Sequence, residues 1–463
     1  MSNLKKYIQH VVKFQKSYLI GLAVVILLIP IIVNLALGKP LLMGSESYYH
    51  LQQTREFNIG NFYYFPLLLA SLIIPPDLMV FIPFLLAISS ILLLIAVTKE
   101  SSLQGEFIFF FLLFMILSPE FIHNYSVLSA NSALVFLAVL IIYLISRESK
   151  WVKIMSIFPL IAASFFNLFS TSLIILALAF YSYFTKKNRL IALILAALLF
   201  LSGLINLLAL NQDVFPIEFQ EQPLITGLIS ALGAVGGISF FILLLALIGL
   251  AVTWKKKFFW IAYVFLLILM GGYLFNQKLI FLMSIVITFL ATVAFAFLAR
   301  QEWKLPLIKN FTLFILLLGI LFSTLSYLNR ANLSYPLAAH EETLQWIKEN
   351  TLPQALIFSS PEQIHYINYL AERRAFHNLY KDKEYAAGQY QAIIGALQLN
   401  GLISLLDIHQ ISIIYLTPDL KSSLPADYGL LALLNTENFK LVHSYQGIEV
   451  WFYSKIVNEE VKN

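Results

Sequence analysis

The chain contains no cysteine and carries little charge: 12% of its 463 residues are Asp, Glu, Lys or Arg, against roughly 25% in an ordinary soluble domain. A disulfide framework, a thiol nucleophile and a Cys-based metal site are therefore excluded, and the redox compartment leaves no mark on the sequence. It also lacks internal repeats, a P-loop, the Rossmann glycine fingerprint and an H-E-x-x-H pair. Hydrocarbon fills the space: 60% of the residues are hydrophobic, with 39 Phe and 23 Tyr, and the mean hydropathy is +0.82. These proportions describe a polytopic α-helical membrane protein. The net charge of +5 is spread through short loops and builds no basic face, so membrane lipids are expected as partners and nucleic acid is not.

A helix needs about 20 apolar residues to cross a bilayer. Runs of that kind lie near 18–36, 78–97, 107–122, 132–147, 189–210, 228–253, 258–275, 279–299 and 306–328. The run 154–184 is too long for one crossing and is broken by Asn167 and Ser170, so a tight hairpin is expected there. Phe62 to Ile74, ending at Pro75, Pro76 and Asp77, reads as a short interfacial or re-entrant helix. Loop charge selects the threading. With 154–184 as a hairpin and 62–74 not crossing, one side gathers Lys5 to Lys16, Lys99, Arg147/Lys150/Lys153, Lys186/Lys187/Arg189, Lys255 to Lys257 and Arg300/Lys304. The loops of the other side hold only Lys39, Arg55 and Lys278. The expected topology is eleven spans with the N-terminus in and the C-terminus out, most naturally in the plasma membrane. The first run follows four lysines and lacks an A-x-A-like cleavage site, which favours a retained signal anchor.

After Asn329 the pattern shortens to strand length: "ALIFSS" (Ala355 to Ser360), "ISIIYL" (Ile411 to Leu416), "FKLVHSY" (Phe439 to Tyr445) and "IEVWFY" (Ile448 to Tyr453). Helical stretches are expected at 341–350, 361–372, 388–406 and 426–435. Strands alternating with helices predict an α/β domain with a parallel core and a final hairpin turned by "SYQGIE". The expected division is a membrane domain over 1–329, with a first outer loop over 37–77, and a soluble extracytoplasmic α/β domain over 330–463.

Polar groups collect in the outer loops. In the first, Glu46 is followed by Tyr48, Tyr49 and His50. A carboxylate there is suited to act as a general base or to ligate a hard divalent cation; the alternative is a solvated loop acid beside an interfacial aromatic belt. The second, "SPEFIHNYSVLSAN", holds Glu120, His123, Asn124 and Asn131, read either as a second contributor to the same site or as helix-end polarity beside Pro119. The third, "NQDVFPIEFQEQP", adds Asp213, Glu218 and Glu221. Glu46, Glu218 and Glu221 are the candidate metal ligands, although acidic outer loops are also what the positive-inside bias leaves behind. Lys278 is placed to hold a lipid phosphate or to snorkel. Arg330, Arg373 and Arg374 stand at or in the outer domain, and Arg374 reads as fold or surface chemistry.

Glu46 to Gln52, "ESYYHLQ", resembles the first-loop motif of the catalytic subunit of oligosaccharyltransferase and its archaeal relatives, Asp-x-Tyr-(Tyr/Phe)-(His/Asn)-x-Arg. "TLQWIKENTLPQALIFS" (Thr343 to Ser359) and "IHYINYLAERRAFHN" (Ile364 to Asn378) are similar to the start of that family's outer domain, and "NQKLIFLMSIVITFLATVAFAFL" to one of its late spans. The resemblance implies GT-C architecture and a glycosyltransferase taking a polyprenyl-phosphate-linked sugar donor to a protein or glycan acceptor outside the cytosol. It implies Glu46 and His50 as catalytic residues, with Tyr48, Tyr49, Glu120, His123, Lys278 and Arg330 binding substrates. Mg or Mn is an expected cofactor if the acids converge; metal-independent transfer is the alternative. The chain departs from the family where Glu46 replaces Asp, Gln52 replaces Arg, Asn131 and Ala133 stand in place of two acids, and "SPEQI" follows "ALIFS" in place of W-W-D-Y-G. Two other readings follow: a catalytically inactive GT-C-like scaffold binding lipid-linked glycans or partner proteins, and, last, a transporter or flippase, which usually needs ionisable groups deep in its spans.

Overall fold

The computed structural model describes residues 2–57, 64–98, 105–166, 168–184, 188–209, 224–234, 236–274, 276–331, 336, 338–379, 383–425 and 428–454. They form two compact units: Met1–Leu37 with Leu41–Met43 and Glu56–Tyr335, and Gly38–Pro40 with Gly44–Arg55 and Pro336–Asn463.

The first unit is helical. Four of its helices are long and apolar enough to cross a bilayer, Lys16–Ala36, Pro76–Thr98, Ile280–Arg300 and Pro306–Ala331, and a fifth crossing exists if Gly105–Ile116 and Pro119–Ser126, bent by 60°, are one span. The chain is thus an integral membrane protein. The bend falls inside the run expected over 107–122 and has a local cause. Ser118 is extended, as the residue before a proline prefers, and Pro119 opens a new helix where its missing N–H costs nothing. The run expected over 228–253 also divides. After helix Leu224–Leu228 and a 3-10 turn at Ser230–Leu232, the chain loops through Gly233 and Gly237, whose φ angles of 108° and 85° no right-handed helix accommodates, and re-enters helix at Phe240–Thr253. The expected break in 154–184 lies between helices Ile157–Ser164 and Leu168–Phe184, with Asn167 outside the described residues. Within 62–74 the seven-residue helix Phe65–Ser71 is too short to span.

Ile280–Arg300 is the most buried of the long apolar helices, and Phe240–Thr253 lies close against it. A side chain at Gly249 would overlap the Leu290 carbonyl, so glycine is what permits that approach.

The second unit holds a five-stranded sheet of β1 (Leu356–Phe358), β2 (Arg374–Ala375), β3 (Ile411–Leu416), β4 (Phe439–Tyr445) and β5 (Ile448–Tyr453), in the order β2-β1-β3-β5-β4. β2, β1 and β3 are parallel; β5 and β4 add antiparallel. The hairpin turn is the expected one: Gln446 and Gly447 take φ of 48° and 84° between the paired Tyr445 and Ile448, a type I′ geometry. The helix expected over 388–406 is two, Lys383–Ile394 and Leu399–His409, and that expected over 361–372 is a succession of 3-10, α and π turns closed by Glu372 at φ 52°. A core of Phe358, Phe376, Leu402, Leu406, Ile414 and Leu430 fills the space between sheet and helices.

The sequence reading divided the chain after Asn329 and left the whole first outer loop with the membrane part. Helix Pro306–Ala331 runs on past that point, because Tyr327, Leu328 and Ala331 remain buried on its apolar face. Helix Gly44–Arg55 groups with the second unit through its aromatic side chains.

Candidate active site

Helix Gly44–Arg55 begins at Gly44 (φ 73°) and presents Ser47, Tyr48, His50, Leu51 and Thr54 as one buried stripe at helical spacing. Tyr48 is clasped by Tyr366 and Tyr369, with ring centroids 4.8 and 5.7 Å away, and Arg55 lies 4.0 Å over the Tyr369 ring while its Nη1 donates to Glu372 at 3.1 Å. Such ring contacts contribute about 0.5–1.5 kcal/mol each; the exposed Arg55–Glu372 pair adds little. Lys348 also donates to Glu372, at 2.8 Å, and holds that carboxyl below its ordinary value.

This packing positions Glu46. One turn before His50 on the same face, its Oε1 lies 3.5 Å from the buried His50 Nε2, a long contact, and its side chain keeps 17% exposure. Tyr49 meets the His50 ring edge-on at 5.3 Å and the His365 ring at 5.1 Å. A partly open carboxylate beside an imidazole is equipped to accept a proton and pass on its orientation.

In the first unit Glu120 and His123 sit on helix Pro119–Ser126. Glu120 is 5% exposed, and its Oε2 accepts the Gly237 N–H at 2.7 Å. A Cβ on Gly236 would overlap the same carboxylate, so the two glycines form a cradle closed around it. The loop is also tied at Ser230, whose hydroxyl accepts from Arg330 Nη2 at 2.8 Å, and Ser239 bonds Ser323 at 2.9 Å. His123 Nδ1 lies 3.2 Å from the Tyr327 hydroxyl. Glu120 and Arg330, expected as substrate ligands, thus both hold the loop before helix Phe240–Thr253.

Lys278 lies in the turn Gln277–Leu279, but its side chain falls outside the described residues, as do Asp213, Glu218 and Glu221. Hard divalent cations take six or more oxygens, usually with several carboxylates. Among the described residues no group of three or more His, Asp or Glu is placed to hold a metal ion. Glu46 and His50 alone do not fit one.

Sequence reasoning missed the two-residue β2, too short for any periodicity, and the glycine cradle, whose partners are distant in sequence. The docking stripe of helix Gly44–Arg55 was open to detection: Ser47, Tyr48, Leu51 and Thr54 recur at helical spacing.

The chain has an oligosaccharyltransferase-like fold. The chain is similar to the oligosaccharyltransferase of Archaeoglobus fulgidus in its apo form, at 11% identity and a TM-score of 0.58 over 96% of this chain and 75% of that one. The same enzyme, AglB, with an inhibitory peptide and a dolichol-phosphate matches at 12% identity and a TM-score of 0.55, covering 96% and 75%. Tethered to an acceptor peptide containing the NVT sequon, it matches at 12% and 0.54, covering 96% and 74%. No protein-family model and no curated protein matches the sequence.

Proposed function

We propose that the chain is a GT-C-type membrane glycosyltransferase that moves a sugar or glycan from a polyprenyl-phosphate-linked donor to a protein or glycan acceptor on the extracytoplasmic side. The observation that carries it is the Glu46–His50 pair, held on a packed helix in a fold shared with an enzyme whose structures contain a dolichol-phosphate and acceptor-like peptides. Glu46 takes the proton from the acceptor nucleophile as that atom bonds to the anomeric carbon and the polyprenyl phosphate departs with the bonding electrons. His50 orients the carboxylate; Tyr49 and His123 face the substrates, and Lys278 and Arg330 meet the donor phosphate. Eleven spans, N-terminus in and C-terminus out, belong to the same proposal. The shorter apolar helices Ala130–Ser146, Arg189–Ile205, Phe240–Thr253 and Trp260–Tyr273 support it as further crossings.

Transfer from radiolabelled polyprenyl-linked sugar in membranes tests this reading, and unchanged activity in Glu46→Ala overturns it. Chelation separates the cofactor alternatives. Activity surviving EDTA is expected if Glu46 and His50 act alone; strict dependence on Mg or Mn would favour the metal-dependent alternative. The thin acid complement among the described residues favours one second reading, an inactive scaffold that binds lipid-linked glycans or partner proteins. It predicts donor binding without turnover by the wild-type chain.

A further inference from the structure

In the second unit the chain leaves β1 for β2 on one side and later returns to place β3 on the other. Order reverses at β1, and open α/β sheets take their ligands at the carboxyl ends of strands at such a point. The residues there carry polar atoms that the protein does not use. Ser359 directly follows β1 and is 3% exposed, yet its Oγ has no hydrogen-bond partner; Gln363 Oε1, Asn368 Nδ2 and His377 Nε2 are likewise buried and unpartnered. Burial without a partner costs about 1–3 kcal/mol per group, so this end of the sheet is built for something to bond.

The remaining contacts say what. The Ser359 carbonyl accepts a hydrogen bond from the His377 ring, while burial pushes that imidazole down to about 4, keeping it neutral at ordinary pH. With one ring nitrogen donating, the unpartnered Nε2 of a neutral ring is an acceptor. Gln363 Oε1 is an acceptor too, and Ser359 Oγ serves in either sense. Tyr390 stacks on Phe358 at 5.4 Å and lies 5.1 Å from His377, offering an aromatic face beside these atoms. Its phenol is pushed up to about 12 by burial and by the charge of Glu362, so that acid is near as well. Arg373 spends its guanidinium on the carbonyls of Lys348, Thr351, Ala371 and Glu372. With Asn368 Nδ2 the one amide donor beside these acceptors, the set suits poorly a phosphate or carboxylate, which accepts only, and calls for a ligand that donates as well as accepts. Glu362 is exposed, so a cation gains little from it. Hydroxyl groups donate and accept, and their carbon skeleton suits an aromatic ring.

We propose that the carboxyl end of β1, at Ser359, Gln363, His377 and Tyr390, binds a neutral hydroxyl-rich ligand, an unphosphorylated oligosaccharide. Binding stands whether or not the chain transfers sugar; only the role of that glycan as acceptor rests on the transferase reading.

The test uses the full chain in nanodiscs, with soluble neutral oligosaccharides of the gluco, manno, galacto and N-acetylglucosamine series as probes and saturation-transfer NMR as the readout. Saturable binding of at least one series is expected, weakened about tenfold in Ser359→Val and in Gln363→Leu and unchanged in Lys440→Gln, at an exposed position of β4 outside this site. Unfolding midpoints of Ser359→Val and Gln363→Leu close to that of the wild type guard against misfolding as the cause of loss. Failure of every series to bind, equal binding by wild type and both variants, or preference for a phosphorylated sugar or a hydroxyl-bearing peptide over the neutral glycans each overturns the proposal. If transfer proceeds while no glycan binds, this inference fails and the transferase reading stands; if glycan binds and Glu46→Ala transfers normally, the reverse holds.

Discussion

Glu46 and Glu120 are both acids that interrupt apolar sequence, one in each unit, and the two units treat them differently. Glu120 is buried, receives a backbone N–H at 2.7 Å and is enclosed by two glycines. Glu46 keeps part of its surface, and the side chain beside it is a histidine at 3.5 Å. A carboxylate enclosed by the fold has little capacity left for a changing charge, whereas one that keeps part of its surface open can be reached by a proton. The difference is one of enclosure: Glu120 is closed into a loop, and Glu46 stays open beside His50.

The largest effect that can break this comparison is on transfer. Glu46→Gln keeps the shape and removes the base, and is expected to lower turnover by about 10²–10⁴-fold. Glu120→Gln retains an oxygen for the Gly237 N–H and should cost less than about tenfold. Assayed side by side with radiolabelled donor, equal losses would dissolve the distinction between them.

Next comes Gly236→Ala. Its Cβ overlaps the Glu120 carboxylate, so either the acid leaves its cradle or the loop shifts, at about 2–4 kcal/mol. A thermal-unfolding scan of the purified protein should show the loss, and an unchanged midpoint would mean that the loop yields freely and Glu120 is no pin.

The two acids also differ in how far they could be read in advance. Glu46 was visible because it breaks an apolar sequence just after a span and sits in a family-like motif. The Glu120 cradle was not, since it joins helix Pro119–Ser126 to Gly236 and Gly237, and periodicity carries no long-range pairing. Apolar length predicted the four long spans and strand-length runs predicted β1, β3, β4 and β5. The same rule overran at 107–122 and 228–253, where Pro119 and the positive-φ glycines end helices that hydropathy alone would continue.

Acid offers a milder probe, and one directed at the second unit. Burial pushes His340 and His377 down to about 4, Asp419 opposing this at His340 and the Ser359 carbonyl at His377. Unfolded histidine titrates near 6.5, so between these values the unfolded chain binds more protons and stability falls as the pH drops. The contribution is full above about 6.5 and is lost toward 4, by up to about 2 kcal/mol per histidine between pH 7 and pH 5. Glu372, held low chiefly by Lys348, adds a loss in the same direction as pH falls through its folded value. Protection of the Ile411–Leu416 amides, taken relative to the intrinsic exchange rate at each pH, should fall at pH 5, and His340→Gln should flatten the change. Equal protection at both pH values would contradict the neutral burial of these rings.

The smallest expected effect carries the contrast from acids to bases. Arg330 bonds Ser230 through one nitrogen, with a long second contact to the Ser326 carbonyl. Arg373 is committed on every side: Nη2 donates to the Lys348 and Thr351 carbonyls at 2.7 and 2.6 Å, Nη1 to those of Ala371 and Glu372, and Nε to Thr351 Oγ1 at 3.0 Å. It therefore caps the C-terminus of helix Ala338–Asn350, where carbonyls lack intrahelical donors and a cation offsets the dipole. A lysine keeps the charge but brings fewer donors from a single point. Arg373→Lys should accordingly cost about 1–2 kcal/mol of second-unit stability while leaving donor binding intact. Arg330→Lys should instead weaken donor binding with little change in unfolding. A reversal of the two outcomes would make Arg330 the structural cation and Arg373 the binding one.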